Sequence, residues 1–396
     1  MTSAKRWLLP DGVEEILPAE AYKLECLRRE ILDLYGSWGY ELVITPLIEF
    51  LDSLLVGTSH DLDLHTFKIT DQLSGRMMGI RADITPQAAR IDAHCLNREG
   101  PVRLCYADNV LHTRPRGLQT SRVPIRVGAE LYGHRDEACD VELICLMLQT
   151  LQQAGVDGLY LVLGHVGIFR SLIAEAAIDG ETELELFEAV QRKAYDEIDA
   201  ILDAAVTDSS LRDMFKQLVR LSGDESVLDS AQQVFAKAPA SVKRELDELS
   251  TIAKGVRERS PELEICYDLC ELRGYEYHTG IVFAAYTPAY GRAVAKGGRY
   301  DHIGEVFGRA RPASGFDSDL KTLARLSTRE FPQRRTILAP SIVDEALLSL
   351  VSDLREKGEI VISELQDSAT SVSVLKELNC DRRIVRKGKD WVVEQV

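Results

Sequence analysis

No N-terminal apolar h-region occurs in the sequence, and no apolar run reaches about 18 residues, so neither secretion nor a membrane span is expected. The eight cysteines, at 26, 95, 105, 139, 145, 266, 270 and 380, form no CxxC pair and no His/Cys ligand spacing. That excludes the common zinc and redox motifs and favours buried free thiols in a reducing cytoplasm. No Walker-type loop and no GxSxG elbow is present, and no metal or cofactor is expected. Positive charge is scarce, with 47 Lys and Arg against 63 Asp and Glu, a formal charge of −16. A field of that sign opposes docking on a phosphate backbone, which needs local cationic surface.

What is present is a soluble globular composition, 45% apolar and 28% charged, over 396 residues. That length suits two or three domains and a sizeable core. Apolar residues at Leu24, Leu27, Ile31, Leu34 and Tyr35 predict an amphipathic helix from Glu20 to Trp38, ended by Gly39. Glu41–Ile44 then reads as a strand closing at Pro46; helix, strand and proline together suit either core or a subunit interface. His65–Ile69, Met77–Arg81, Leu104–Thr113, Val123–Leu131 and Leu159–Leu163 read as further strands, with helices over Thr85–Cys95 and Cys139–Gln153. Strands interrupted by helices without a regular βαβ beat predict an α+β fold with a mainly antiparallel sheet.

From Ile168 to about Arg259 the pattern is helical with no strand signal, and strands resume at Leu263. The expected organisation is therefore a core of 1–167 and 263–330, a helical insertion at 168–262, and a small αβ domain at 331–396. In that last part Arg335–Leu338, Ile360–Ile362 and Trp391–Val393 read as strands, and Val343–Lys357 and Ser368–Leu378 as helices.

Five places could carry chemistry. Asp83, between a strand end and Thr85-Pro86, is placed to hold an ammonium group or to cap the helix. Arg126, Gly128 and Glu130 share one strand face, as the floor of a polar pocket or as a solvated sheet face. Alternation along Leu272–Gly280 puts Arg273, Tyr275 and Tyr277 on one face and Gly274, Glu276 and His278 on the other; the first set either lines a small-molecule pocket, with the arginine as a carboxylate or phosphate fork, or is ordinary aromatic packing. His112, Arg114 and Arg116 alternate after a strand, as an anion site or a solvated loop. Finally, Lys296–Leu326 has the glycine pair and strand–turn–helix order of an anion-binding motif, yet its helix is expected to open with Asp317 and Asp319, the wrong sign for a phosphate.

Together these stretches resemble the class II aminoacyl-tRNA synthetase core, histidyl-tRNA synthetases in particular, over about residues 6–330. The resemblance rests on Trp38–Pro46 (motif 1), Tyr106–Gly133 (motif 2), Arg273–Gly280 (the histidine-site signature) and Gly297–Leu326 (motif 3). It implies that His112 stands where motif 2 has its ATP-gripping arginine, with Arg114 beside it on the same face. It likewise implies that Thr322 takes the place of the motif 3 arginine and Asp319 that of a glycine, an eroded ATP site. The amino-acid half is better kept: Asp83 stands for a glutamate, Glu130, Arg273 and Tyr277 match, and Arg126 and His278 replace a glutamine and a tyrosine.

An eroded ATP site, a partly kept histidine site and a tail of about 66 residues resemble the regulatory subunits of ATP phosphoribosyltransferase. That likeness implies a non-catalytic protein joined to a short-form catalytic subunit in a hetero-octamer, self-associating as a dimer. It would pass on feedback inhibition by histidine and have no tRNA partner. The alternatives are an active histidyl-tRNA synthetase or another ATP-dependent amino-acid ligase.

Overall fold

The computed structural model describes residues 7–56, 60–115, 120–332, 335–365 and 372–396. They fall into two compact units, Met1–Arg329 and Glu330–Val396.

In the first unit the opening helix runs Pro18–Ser37 and buries Leu24, Leu27, Ile31 and Tyr35, the three-and-four spacing of its apolar stripe. Gly39, at φ +82°, takes the left-handed turn that ends it. Strand β1 (Glu41–Leu42) follows, then β2 (Ile48–Phe50), β3 (Phe67–Thr70) and β4 (Met77–Ile80), the last three forming a small sheet in the order β2-β4-β3. The strand expected from His65 begins instead at Phe67, because His65 closes a short helix, His60–His65. The helix expected over Thr85–Cys95 is α-helical to Arg90 and then widens into a π-turn, Ile91–Leu96, ending at Asn97 with φ +47°.

The large sheet adds β5 (Val102–Asn109), β6 (Ile125–Tyr132), β7 (Tyr160–His165), β8 (Ser222–Gly223), β9 (Glu264–Asp268), β10 (Ile281–Thr287), β11 (Tyr290–Arg299) and β12 (Ala313–Asp319). Its order is β1-β5-β6-β12-β11-β10-β7-β9-β8. Only β1 with β5 and β7 with β9 run parallel, so the α+β fold with a mainly antiparallel sheet stands. Helices Pro18–Ser37 and Ala138–Gln153 pack on the sheet and on each other. The latter buries most of its length, from Cys139 to Leu151, which explains its nearly continuous apolar sequence.

Two expectations about this unit change. The stretch read as wholly helical contains β8, a two-residue strand paired antiparallel with β9; a Ser-Gly pair carries no strand signal of its own. Leu272–Gly280 is a turn-rich loop and not a strand. Gly274 sits at φ +69°, and the amides of Tyr277 and His278 both donate to its carbonyl, at 2.8 and 2.7 Å. Alternation of side chains therefore fails there.

The second unit is a four-stranded sheet of β13 (Thr336–Ala339), β14 (Ile360–Ser363), β15 (Cys380–Lys387) and β16 (Asp390–Gln395) in the order β14-β13-β15-β16. Helix Glu345–Glu356 packs Leu347 and Val351 against Ile337, Val361 and Ile384. β15 has no counterpart in the expected elements, since CDRRIVRK carries four cationic residues and a single fully buried one, Ile384. Of the helix expected over 368–378, Val372–Glu377 is seen, and 368–371 lie outside the described residues.

All eight cysteines are free thiols; Cys105, Cys139, Cys145 and Cys270 are buried, while Cys95 is exposed and the other three are half-buried. Among the described residues no helix is long and apolar enough to cross a membrane, and no group of His, Cys, Asp or Glu could hold a metal ion.

Candidate functional site

A cavity of about 350 Å³ opens on the large sheet of the first unit, lined by β6, β10, β11, β12, the residues around Asp83 and the loop 272–280. Glu130 forms its floor. β6 alternates Val127, Ala129 and Leu131 with Arg126, Gly128 and Glu130, and this period of two brings Glu130 to the cavity with its side chain fully buried. Tyr106, from β5, donates its hydroxyl hydrogen to Glu130 Oε1 at 3.0 Å. It reaches there because Gly128 lies beneath it: a Cβ at Gly128 would stand 2.6 Å from the tyrosine oxygen.

Glu130 Oε2 has no hydrogen-bond partner among the described residues, and the same holds for the hydroxyls of Tyr277 and Tyr300 at the cavity. Burial pushes the Glu130 carboxyl well above the usual carboxylate range, and the nearby charges of Asp83 and Asp317 push the same way against the hydroxyls of Tyr106 and Thr85. The floor is thus a buried carboxyl whose Oε2 has no hydrogen-bond partner among the described residues.

The loop 272–280 supplies the wall. Tyr277 lies against Tyr300 with ring centres 4.9 Å apart. His278 is flanked by two glycines, since a Cβ at Gly274 or at Gly298 would come within 2.8 Å of its ring. Its Nδ1 lies 3.3 Å from the Arg299 carbonyl, to which it donates as a neutral imidazole. Burial lowers its pKa from 6.5 to about 4, so the ring is uncharged near neutrality.

Arg273 also lines the cavity, but it is already paired. Its Nε donates to Glu271 Oε1 at 2.8 Å, and its Nη2 to Glu271 Oε2 and to Tyr286. Burial works against ionised Glu271, yet the hydrogen bonds from Arg273 overcome it and hold the carboxyl below its ordinary range. Asp83 is half-buried and lines the cavity; one oxygen accepts from the Thr85 amide at 3.1 Å, but Ile84 stands at the N-cap of helix Thr85–Arg90 and no side chain caps it, so the expected helix cap is not formed.

Five of the six candidate amino-acid-site residues, Asp83, Glu130, Arg273, Tyr277 and His278, therefore meet at one cavity. Arg126 stands in a neighbouring one of about 570 Å³, 3.5 Å from Asp317, a residue that borders both. Tyr275, expected on the face of Arg273, turns away from the cavity. Tyr106, Glu271 and Tyr300 carry no site assignment in the sequence, and Asp317, expected at a helix start, lines the cavity from β12. The glycines at 128, 297 and 315 were the available signal, since each marks a close approach across the sheet.

The second cavity contains His112, Asp319 and Thr322. His112 is buried, its Nε2 3.0 Å from the Ala82 carbonyl and its ring against His65. Asp317 belongs to β12 and not to the helix start, because the strand runs on to Asp319. Asp319 caps helix Leu320–Leu326: it accepts from the amides of Lys321 and Ile125, each at 3.2 Å, and from the Thr322 hydroxyl at 2.9 Å. Lys321 points to Glu14, 2.8 Å away. Arg114 is exposed and does not line the cavity, and Arg116 lies outside the described residues.

The fold and this pair of cavities define a histidyl-tRNA synthetase-like core: the family model described as "Histidyl-tRNA synthetase" matches residues 12–323. A second model, "ATP phosphoribosyltransferase subunit HisZ C-terminal domain", matches residues 334–394. An ATP phosphoribosyltransferase regulatory subunit of Thioalkalivibrio sulfidiphilus is 53% identical over 395 residues, 99% of each chain. Among solved structures, an ATP phosphoribosyltransferase regulatory subunit/histidyl-tRNA synthetase from Bacillus halodurans superposes with a TM-score of 0.83 at 24% identity, covering 97% of this chain and 99% of the other. A histidyl-tRNA synthetase from Nostoc gives a TM-score of 0.77 at 19% identity, covering 96% and 91%; both share the fold. The chain belongs to the ATP phosphoribosyltransferase regulatory subunit family.

Proposed function

We propose that the chain is the non-catalytic regulatory subunit of ATP phosphoribosyltransferase, required by a short-form catalytic subunit for the first step of L-histidine biosynthesis and for feedback inhibition by histidine. The observation that carries the non-catalytic part is the Asp319–Thr322 hydrogen bond. Where a synthetase presents a cation to ATP, this chain has a carboxylate engaged with a hydroxyl. Asp317 and Asp319 both border the cavity a triphosphate would enter, and like charges in a partly dry site repel strongly.

The first cavity keeps what a histidine ligand needs. Asp83 would face the ammonium group. Glu130, with one free oxygen, and Tyr277, with an unpartnered hydroxyl, would face the imidazole nitrogens. Arg273 would share itself between Glu271 and the carboxylate. No cofactor enters this reading. The acidic charge of −16 argues against tRNA as a partner.

The subunit would act in the cytoplasm, where its free thiols stay reduced, within a hetero-octamer that contains dimers of this chain. Leu42, Ile44, Leu47 and Ile48, at and beyond the edge strand β1, are 45 to 82% exposed and offer an apolar dimer surface.

The test is co-purification with a short-form catalytic subunit, followed by phosphoribosyl transfer assays with and without this chain. Transfer should require the chain and fall on adding histidine, and Asp83→Ala should weaken that inhibition with assembly intact. Histidine-dependent ATP–pyrophosphate exchange at synthetase-like rates would sink the reading.

A further inference from the structure

The loop 272–280 faces two ways. Tyr277 and His278 turn into the first cavity, while Tyr275, between them and Arg273, turns into the helices that follow β7. Its ring stacks on Phe187 at 5.1 Å and meets Phe169 edge-on at 5.4 Å. The guanidinium of Arg170 lies 4.7 Å from the ring centre and donates to the Tyr275 carbonyl. The Tyr275 hydroxyl donates to Glu183 Oε1 at 2.6 Å. Phe169 and Arg170 belong to helix Val166–Ala176, and Glu183 and Phe187 to helix Gly180–Gln191.

The far end of the loop is bound to the same segment. The amide of Val166, first residue of its helix, donates to the Gly280 carbonyl at 3.1 Å, and the Thr279 amide donates to Arg299 at 2.8 Å. Tyr277 and His278 lie between these two anchors, and their amides both donate to the carbonyl of Gly274, the neighbour of Tyr275, so a shift of Tyr275 carries them with it. Packing alone needs only the ring of Tyr275. The short bond from its hydroxyl to a carboxylate fixes how far the loop stands from the helix, and bonds of this charge-assisted kind are the strong ones.

We infer that Tyr275 and Glu183 are positioning residues for the ligand cavity: through the loop, the helical segment holds Tyr277 and His278 at the places from which they meet an effector. The inference rests on the reading that histidine occupies this cavity, and its test separates the two. Tyr275→Phe and Glu183→Gln, each of which keeps the packing volume, are made in the full chain, singly and together. Hydrogen exchange of the 272–280 amides is measured without ligand, and the histidine Kd by calorimetry.

Each single change should speed loop exchange and weaken histidine binding about tenfold, the scale of one charge-assisted hydrogen bond. The double change should do no more than either alone. The uninhibited transfer rate of the assembled enzyme should not move, which distinguishes positioning from a general loss of structure. Wild-type exchange in both single variants overturns the inference. Faster exchange in a chain whose wild type binds no histidine supports the positioning and removes the effector reading instead.

Discussion

Glu130 and Gly315 face each other across the β6–β12 pair, so closely that a Cβ at Gly315 would stand 1.7 Å from Glu130 Oε2. The absence of a side chain at 315 is therefore what lets a buried carboxyl reach the cavity. The same Cβ would lie 2.4 Å from the Tyr300 hydroxyl, so neither neighbour offers it room. Gly315→Ala should cost about 1 to 3 kcal/mol of stability by overpacking, and it should remove histidine binding by displacing Glu130. Chemical denaturation and calorimetry check the two effects; a variant that binds histidine normally would mean that Glu130 does not contact the ligand.

The buried acid has a second consequence. The folded-state pKa of Glu130 lies above its unfolded value of 4.5, so its contribution to stability is present below that value and declines as pH rises above it. Glu130→Gln keeps an acceptor for Tyr106 and removes the titration. The melting temperature of the variant should match the wild type near pH 4 and exceed it by a growing margin toward pH 8. A constant difference across that range would show that the carboxyl titrates alike in both states.

Much of this site was legible in the sequence, and what was not has local causes. The alternation from Val127 to Glu130 and the glycine at 128 read correctly because a strand has one period and one face to hide. The alternation from Arg273 to His278 looked the same, but Gly274 adopts φ +69° and the chain turns, sending Tyr275 outward. Two glycines framing an aromatic run were the warning. Asp317 was read as a helix start because its strand ends in polar residues, Asp-Ser-Asp, whose alternation of exposure becomes visible only when β6 and β11 are paired on either side.

His278 should leave a mark on the acid limb of stability. Its pKa falls from 6.5 to about 4 on folding, so the unfolded chain binds a proton in that interval that the folded chain refuses. Stability from this group is complete above pH 6.5 and is lost as pH falls toward 4. His278→Gln retains a side-chain donor for the Arg299 carbonyl and has no such proton. Urea denaturation from pH 7 to 4 should give a shallower decline for the variant; parallel curves would place the acid sensitivity in other groups.

Asp319 separates a structural carboxylate from a nucleotide ligand. It accepts three hydrogen bonds, from the amides of Ile125 and Lys321 and from the hydroxyl of Thr322, and so joins the start of β6 to the helix that follows β12. Loss of a helix cap of this type costs about 1 kcal/mol, and the extra bond to Ile125 should place Asp319→Ala toward 2 kcal/mol. Thr322→Val keeps the shape of the threonine and deletes one bond, so it should cost less, and the two changes together should cost less than their sum because they share that bond. Removing the carboxylate should not create ATP binding, since His112 is buried against the Ala82 carbonyl and Lys321 is held by Glu14. Isothermal calorimetry of Asp319→Ala with ATP decides the point: affinity comparable to that of an active synthetase would mean that this one side chain, and no wider loss of cations, silences the site.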